Sequence, residues 1–172
     1  MTRPAKLKSA VAKSSPLDAL PTCDWLLLDN QMCFALYSAS LTMTKVYKPL
    51  LQKFGLTYPQ YLVMLVLWEQ DERSVSELGA RLFLDSGTLT PLLKRLETLA
   101  LVTRARDATD ERRVIVALTA TGKRLHKQSL AVPQNISCAT ECSLTELMAL
   151  TQQLGELRAA LLRSTGNTET NK

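Results

Sequence analysis

The sequence lacks a hydrophobic run long enough to span a lipid bilayer. Its longest nearly uncharged stretch, YPQYLVMLVLW at residues 58–68, is too short for that role and contains Pro59, so it predicts a buried helix. The first residues, MTRPAKLKSAVAKSSPLDALP, are basic and rich in small side chains, but they contain no apolar segment of the secretory type. Their composition also resembles a transit peptide, although Asp18 and the prolines do not fit one. We expect a cytoplasmic protein without membrane contact, in which residues 1–28 form a flexible tail.

Histidine is almost absent, since His126 is the only one in the chain. A closed zinc site needs four nitrogen or sulfur ligands, and one histidine leaves such a site short of partners. We therefore expect neither a metal nor another cofactor. We also do not expect an enzyme of the thioredoxin-type thiol peroxidase class, because the chain shows no alternation of strand and helix segments.

Cysteine occurs at four positions, Cys23, Cys33, Cys138 and Cys142. Without a secretory signal, a structural disulfide framework is a poor expectation, and redox or metal-binding roles gain weight, of which the single histidine disfavours the second. Cys138 and Cys142 are four residues apart, so one continuous helix would place them on the same face. Cys33 has apolar neighbours in QMCFALYSAS, which on residue type alone favours a small packed side chain.

Positive charge is concentrated in one segment. The formal net charge is +5, and residues 73–127 hold 11 Lys and Arg against 6 Asp and Glu, whereas the rest of the chain has 10 of each. A localised basic segment is typical of a polyanion partner, most often nucleic acid. The alternative is an ordinary solvated surface, and the architecture of the segment decides between the two.

Helical periodicity dominates the first part of the chain. A long helix is predicted at 29–54, and Pro49 should kink it or end it just before that position. Gly55 fits a C-cap, and Thr57 fits the N-cap of a second helix that reaches Trp68.

A helix-turn-helix pattern follows. A short strand near 73–75 precedes the helical segment SELGARLF, for which Ser76 is the candidate cap. Asp85 is the expected N-cap of the next helix, 86–99, whose apolar face carries Leu89, Leu92, Leu93, Leu96 and Leu99. The β-rich runs LVTRAR and RVIVALT then bracket the polar DATDER, which predicts a hairpin with a charged tip. The expected fold is therefore mainly α with a small β-hairpin wing, a winged helix-turn-helix.

The remaining chain predicts further helices. Thr119 or Thr121 should cap the first of them, Pro133 should interrupt it, and SCATECSLTEL should resume helical character. The segment TELMALTQQLGELRAALLRS is amphipathic.

The helix at 86–99 is the candidate for reading DNA. The major groove of B-DNA admits one helix, whose short polar and basic side chains can reach base edges. Ser86, Thr88 and Thr90 lie near its N-terminus, where they can contact bases or phosphates. Lys94 and Arg95 lie further along and are expected to contact phosphate.

The hairpin tip is the candidate for the minor groove. Arg112 is the predicted probe, and Asp110 is its expected orienting partner. The other arginines of the hairpin are Arg104, Arg106 and Arg113. A solvated, ion-paired loop is the alternative, and the position of the hairpin after a recognition-helix pattern favours DNA.

Residues 74–125, SVSELGARLFLDSGTLTPLLKRLETLALVTRARDATDERRVIVALTATGKRL, resemble the core of MarR-type winged-helix repressors, notably in the DER tip and the later LTATG. The resemblance extends over residues 29–163 and is strongest for the organic-hydroperoxide-sensing branch, OhrR. It implies a homodimer, built by helices at 29–54 and 119–163, that binds a pseudo-palindromic operator through winged helices at 55–118. Residues 164–172 are expected to form a flexible tail.

The same resemblance assigns roles to thiols and phenols. In the OhrR branch, a cysteine near the start of the first helix is oxidised, and two tyrosines hydrogen-bond its sulfur. Cys33, Tyr47 and Tyr58 match those positions in QMCFALY, KVYKPLL and LTYPQYLVML. Cys138 matches the cysteine of the other subunit that captures the oxidised thiol.

The resemblance is weaker or silent for the other two cysteines. Cys142 is a weaker candidate for the capturing role, and nothing carries over to Cys23. An apolar wall beside the thiol is expected from the side chains of Met32, Phe34, Leu36 and either Trp25 or Trp68.

Helix geometry sets a requirement for such a site. Cys33 and Tyr47 are 14 residues apart on one predicted helix, which corresponds to about 21 Å. If they meet, they meet between two subunits. A phenol that donates to sulfur favours the thiolate, which is the form that attacks peroxide.

The sequence therefore predicts a homodimeric transcriptional repressor whose inducer is an organic hydroperoxide. Oxidation of Cys33 and a disulfide with Cys138 of the partner would release the operator. The alternative is a MarR-type repressor released by a small apolar or phenolic ligand, in which the cysteines only pack.

Overall fold

The computed structural model describes residues 26–166. The chain divides into two compact units with a boundary between Thr42 and Met43. Nearly all of the predicted N-terminal tail, residues 1–28, lies outside the described residues, as does most of the predicted tail at 164–172. Among the described residues, no helix is both long and apolar enough to cross a membrane.

The first unit contains a short 3-10 helix, Leu28–Asn30, and the beginning of α1, which spans Met32–Gln52. None of its described residues is buried. Large apolar side chains on this part of α1 are exposed instead, among them Met32, Tyr37 and Leu41.

The second unit is a winged helix-turn-helix, so the predicted fold is confirmed. Its elements after α1 are α2 Tyr58–Glu69, β1 Arg73–Ser74, α3 Val75–Leu82, α4 Ser86–Thr98, β2 Val102–Arg106, β3 Val114–Leu118, α5 Ala120–Ser129, α6 Ala131–Ala139 and α7 Leu144–Gly166.

The wing is a three-stranded antiparallel sheet with the order β1-β3-β2. In the hairpin, Val102 pairs with Leu118 and Arg106 with Val114. The short β1 adds to the other side of β3 through Arg73, which pairs with Val116. The sheet therefore ties the segment before α3 to the base of the hairpin.

The hydrophobic core joins the strands of the wing, through Val102 and Val116, to α2, α3 and α4. Val63, Met64 and Leu67 contribute from α2, and Leu78 from α3. From α4, the leucines predicted to face the core are buried or half-buried: Leu89, Leu92, Leu93, Leu96 and Leu99. Periodic burial on α4 fixes which of its faces remains available to a ligand.

Of the two outcomes expected at Pro49, an end of α1 near Lys48 is not found. The helix runs through Pro49 to Gln52, although an interior proline removes a helical hydrogen bond and crowds the preceding turn. Burial of Leu51 favours this continuation. Gly55 has a φ of 67°, and the amides of Gly55 and Leu56 bond back to Gln52 and Leu51 at 3.0 and 3.2 Å, which confirms the predicted glycine C-cap.

The cap of α3 is Ser74, so the assignment to Ser76 was wrong. The Ser74 hydroxyl accepts from the Glu77 amide at 3.2 Å, and the Ser74 amide donates to Glu77 Oε2 at 2.7 Å. This reciprocal pair needs Glu or Gln three residues after the cap. Glu77 is at that position relative to Ser74, whereas the residue three after Ser76 is Gly79, which has no side chain to accept the bond.

The helices after the wing break at other positions than predicted. Thr119 caps α5 by accepting from the Gly122 amide at 3.0 Å. The chain then leaves the helix at Leu130, and Pro133 lies in the first turn of α6, where a missing N–H costs no helical hydrogen bond. A second break at 140–143, where Glu141 has a φ of 55°, separates α6 from α7.

Candidate functional site

The N-terminal end of α4 is exposed to solvent and is capped by Asp85. Asp85 Oδ1 accepts from the Thr88 amide at 2.9 Å, and Oδ2 accepts from the Thr88 hydroxyl at 2.7 Å. These bonds, first the one from the hydroxyl, lower the pKa of the Asp85 carboxyl. The predicted cap is therefore confirmed, and the remaining N–H groups of the first turn point outward, where an anion such as phosphate can bind.

The polar face of α4 carries the predicted DNA contacts. Ser86, Thr90, Lys94 and Arg95 are all exposed, opposite the buried leucines. Thr90 donates from Oγ1 to the Ser86 carbonyl at 2.6 Å, so its hydroxyl offers lone pairs rather than a proton to a partner. Thr88 is in the same state through its bond to Asp85. This face presents acceptors near its start and cations further along.

The wing tip differs from the prediction in how Asp110 acts. Asp110 Oδ1 accepts from the backbone amide of Arg112 at 3.0 Å, and the Asp110 carbonyl accepts from the Arg113 amide at 2.9 Å. Within residues 26–166, the Arg112 guanidinium forms no ion pair with it. Asp110 shapes the turn rather than aiming the Arg112 side chain, because a short carboxylate next to a turn reaches the amide two residues on.

Two arginines of the wing that the sequence left unassigned, Arg104 and Arg113, form ion pairs with carboxylates of the helices and of the wing. Arg104 on β2 pairs with Glu97 on α4 through Nη2 at 2.6 Å and Nε at 2.9 Å, and this pairing lowers the pKa of the Glu97 carboxyl. Arg113 lies 3.8 Å from both Asp107 and Glu77. Opposite charges flanking the short α4-to-β2 connection were the available signal for the first pair.

The face of α4 and the wing meet in a single groove. Its volume is about 480 Å³, and three of the predicted DNA-contacting residues, Ser86, Thr90 and Arg112, line it together with Arg104 and Arg113. Hydroxyls and guanidinium groups around one open groove suit the phosphates and base edges of a duplex. Lys94 and Arg95 do not line this groove, although they share the exposed face of the helix.

The rings of the two tyrosines with a predicted thiol role contact each other at an interplanar angle of 39°. The ring centroids of Tyr47, at the end of α1, and Tyr58, at the start of α2, are 4.5 Å apart, and Tyr61 lies 6.0 Å from Tyr47. Burial, with the neighbouring rings of Tyr58 and Tyr61, raises the pKa of Tyr47 to about 12, and burial raises the pKa of Tyr58 as well. The phenols are protonated at neutral pH, as in any tyrosine, and these shifts keep them neutral to higher pH, so both can act as hydrogen-bond donors.

The described cysteines are free and exposed. Cys33 lies on α1 in the first unit, Cys138 on α6 in the second, and Cys142 in the turn between α6 and α7. The prediction that Cys138 and Cys142 share a helix face is wrong, because α6 ends at Ala139. Cys142 Sγ instead donates to the Thr140 carbonyl at 3.2 Å. Cys23 lies outside the described residues.

The residues of the predicted apolar wall differ in their exposure and lie in different parts of the chain. Met32, Phe34 and Leu36 lie beside Cys33 on α1 and are exposed or half-buried. Trp68 is half-buried in the second unit, where its ring lies 6.1 Å from Tyr61 and 5.2 Å from His126. Trp25 lies outside the described residues.

Comparison with known proteins identifies relatives among transcriptional regulators. Residues 45–129 match the family model described as transcriptional regulator SarA/Rot. The chain is 49% identical over 142 residues to the HTH-type transcriptional regulator TtmR of Methylorubrum extorquens, covering 83% of this chain and 73% of that protein. It is 46% identical over 138 residues to the organic hydroperoxide resistance transcriptional regulator of Bacillus subtilis, covering 80% of this chain and 94% of that protein.

Solved structures of similar proteins give the same fold. Reduced AbfR bound to DNA superposes with a TM-score of 0.69 and 39% identity, covering 79% of this chain and 93% of that one. AbfR with a disulfide formed superposes with a TM-score of 0.55 and 38% identity, covering 82% and 94%.

Proposed function

Because this chain belongs to the MarR/SarA family of winged helix-turn-helix regulators, and is a DNA-binding transcriptional regulator of the OhrR type, we propose that it is a homodimeric repressor that senses organic hydroperoxides. Cys33 is the oxidised residue in this proposal, and Cys138 of a second subunit captures it in a disulfide. The observation that carries the proposal is the ring contact between Tyr47 and Tyr58, with centroids 4.5 Å apart, in a relative of a hydroperoxide resistance regulator.

The phenols act on the sulfur as neutral donors. Both O–H groups are intact at neutral pH, as in any tyrosine, and burial raises their pKa values further, so each can donate to a thiolate of another subunit. Such a bond stabilises the thiolate relative to the thiol and increases the fraction of sulfur that can attack a peroxide. The tyrosine pair would thus set the rate of sensing without taking part in bond making.

The chemistry divides into two balanced steps. The Cys33 thiolate attacks the terminal oxygen of the hydroperoxide, the O–O bond breaks, and sulfenic acid and an alkoxide form, which takes up a proton and leaves as alcohol. The Cys138 thiol then attacks the sulfenic sulfur, the S–O bond breaks, and a disulfide and water result. The two-electron oxidant is consumed once per disulfide.

Dimerisation is supported by the apolar side chains that the terminal helices expose. Among residues 144–165 of α7 none is buried, and six of the large apolar side chains are 40–70% exposed: Leu144, Met148, Leu150, Leu154, Leu161 and Leu162. So many exposed apolar side chains on one helix are typical of an interface. A two-fold dimer would also present two copies of α4 to successive major grooves of a pseudo-palindromic operator, about 34 Å apart.

A ligand-released repressor is the second candidate. An open cavity of about 490 Å³ lies beside Tyr58, with Leu56, Pro59 and Lys48 among its lining residues. An apolar cavity with a cation at its edge suits a small aromatic acid or phenol. DNA release by such a ligand that dithiothreitol does not reverse would favour this candidate over the thiol mechanism.

The decisive experiment compares single-cysteine variants of the full chain after treatment with stoichiometric cumene hydroperoxide. Wild type should form a dimer on a non-reducing gel, and mass spectrometry should identify a Cys33 to Cys138 peptide. Cys33→Ser should bind DNA and resist release by peroxide. Cys138→Ser should form no disulfide but should accumulate oxygen on Cys33, because the sulfenic acid lacks a capturing thiol.

Cys142→Ser is the matched control, since Cys142 is equally exposed and lies four residues from Cys138. It should behave as wild type. An oxidised wild type that stays monomeric on the gel, or a disulfide that requires Cys142 or Cys23, would refute the assignment.

A further inference from the structure

The positive charge of this chain is not confined to the DNA-reading surface. Residues 73–127 carry an excess of five positive charges, and three of them belong to α5 as Lys123, Arg124 and Lys127. α5 itself contains no Asp or Glu, whereas the segment 73–118, from β1 through the wing, holds eight basic and six acidic residues. Within residues 73–127, α5 therefore holds three of the five excess charges, and it lies outside the recognition module.

The three cations share the solvent side of α5. Gly122, Leu125 and Ser129 form its buried side, and helical spacing places Lys123, Arg124 and Lys127 on the opposite side, where all three are exposed. This division is what a helix shows when one face packs on the core and the other is available to a partner.

An apolar groove runs beside this basic face. We call it the α5 groove; its apolar lining residues are Phe54, Leu99, Leu101 and Leu125, and its polar ones are Lys53, Thr121, Arg124 and Gln128. Its volume is about 270 Å³, and none of its lining residues is acidic. Leu101 and Leu125 belong to the core cluster, while Phe54 and Leu99 are only half-buried and remain accessible from the groove.

The cations around the α5 groove are available for carboxylates. Lys123 is paired with Asp71 at 3.0 Å. Among residues 26–166, the cations Lys53, Arg124 and Lys127 form no ion pair: Arg124 donates to the neutral Thr121 hydroxyl at 3.0 Å, and Lys53 lies 4.9 Å from the centre of the Phe54 ring.

The α5 groove lies at the end of α4 opposite the DNA-reading groove. Ser86 and Thr90, at the start of α4, line the groove with the wing, whereas Leu99, just past its end, lines the α5 groove. Leu93 is the last residue of α4 that lines the groove with the wing, and Leu99 follows six residues later, which corresponds to about 9 Å along the helix. The two grooves share no lining residue, so a partner in the α5 groove need not compete with bound DNA.

We propose that the α5 groove binds an acidic, apolar segment of another protein. Its carboxylates would pair with Lys53, Arg124 and Lys127, and its apolar side chains would cover Phe54 and Leu99. A second copy of this chain does not fit, because a two-fold contact would oppose like charges. DNA is a poorer match than such a segment, because the phosphates and sugars of its backbone would not cover the apolar side chains of the groove.

The test uses the full chain, free and saturated with its DNA duplex, and a fluorescent acetylated peptide of alternating Glu and Leu pairs. Anisotropy should show binding that weakens with salt and is unchanged by bound DNA. The double variant Arg124→Glu/Lys127→Glu should raise the Kd about tenfold or more, since each lost and reversed pair contributes up to about 1 kcal/mol. The control Arg158→Glu/Arg163→Glu reverses two exposed cations on α7 and should leave the Kd unchanged.

A second peptide, with Ser in place of Leu, separates the effect of the apolar lining residues from charge alone and should lose binding. Equal affinity of both double variants for the Glu/Leu peptide, or undiminished binding of the Glu/Ser peptide, would overturn the proposal. A third outcome would also overturn it: DNA displaces the peptide, and in Arg124→Glu/Lys127→Glu the slope of the logarithm of the DNA-binding constant against the logarithm of the salt concentration falls by about two. Both results together would mean that this surface contacts DNA. None of these outcomes depends on the thiol mechanism, because the peptide carries no oxidant.

Discussion

The indole of Trp68 donates from Nε1 to the carbonyl oxygen of Gly122 at 3.0 Å, which joins α2 to the first turn of α5. The same turn packs so closely on the end of α4 that a Cβ on Gly122 would lie 2.1 Å from the Leu101 carbonyl oxygen. The Thr119 amide donates to that oxygen at 3.0 Å. Only glycine allows this approach of two backbone segments.

Gly122→Ala should therefore destabilise the protein. The backbone atoms that the new methyl group meets cannot move away as a flexible side chain would, so we expect a loss of about 2 kcal/mol or more in the free energy of unfolding. Urea denaturation followed by circular dichroism measures it. Gly155→Ala is the control: Gly155 is in the interior of α7 with no atom within 4 Å of its Cβ position, and alanine there should stabilise the helix by about 0.5–1 kcal/mol. An unchanged denaturation midpoint for Gly122→Ala would contradict the close approach.

Tyr47 should be the last tyrosine to ionise in the cluster of Tyr47, Tyr58 and Tyr61. Its pKa is raised from 10.0 to about 12, so the folded state favours the neutral phenol. The stabilisation that this provides is complete below pH 10 and is lost as the pH rises toward 12. An alkaline titration of phenolate absorbance should show a phase near pH 12 that Tyr47→Phe removes. Retention of that phase in the variant would assign it to another residue.

Arg112→Ala should weaken DNA binding without changing the fold. The Arg112 side chain is exposed at the mouth of the groove shared with α4, and its turn is held by backbone contacts to Asp110 that alanine keeps. If it contacts one phosphate or the minor groove, the salt slope of the logarithm of the binding constant should fall by about 1. Arg163→Ala removes the same charge from α7 and should leave the slope unchanged. An unaltered affinity and slope for Arg112→Ala would move the contact to Lys94 or Arg95.

Much of the recognition module could be predicted because its signals are local. Asp85 before a run with leucines at helical spacing fixes both the start of α4 and its buried face, since capping and periodicity depend on residues within one or two turns. Glu77 shows the limit of that approach. It caps α3 with Ser74 and also lies 3.8 Å from Arg113 of the wing, a contact that no spacing rule contains.

The sequence was less informative where tertiary packing overrides a local preference. Pro49 stays inside α1 with Leu51 buried behind it, although proline usually ends a helix. Cys138 and Cys142 are not on one helix, because the chain breaks between α6 and α7 where Glu141 has a positive φ. Glycine or asparagine usually marks such a position in a sequence, and a glutamate does not. The contact between the rings of Tyr47 and Tyr58 joins two helices across a turn, so only the family resemblance pointed to it.

The tyrosine pair yields the last prediction. If Tyr47 and Tyr58 donate to the sulfur of Cys33, then Tyr47→Phe and Tyr58→Phe remove one donor each at nearly constant volume. Each lost hydrogen bond should cost about 1 kcal/mol of thiolate stabilisation, so oxidation of Cys33 by cumene hydroperoxide should slow about fivefold while DNA affinity stays at the wild-type value. Stopped-flow competition kinetics against a second peroxide-consuming thiol measures the rate. Tyr61→Phe is the matched control, because Tyr61 belongs to the same aromatic cluster, 6.0 Å from Tyr47, but has no proposed contact with the thiol. Slowing by Tyr61→Phe to the same extent would show that packing of the cluster, and not donation by Tyr47 and Tyr58, controls the thiol.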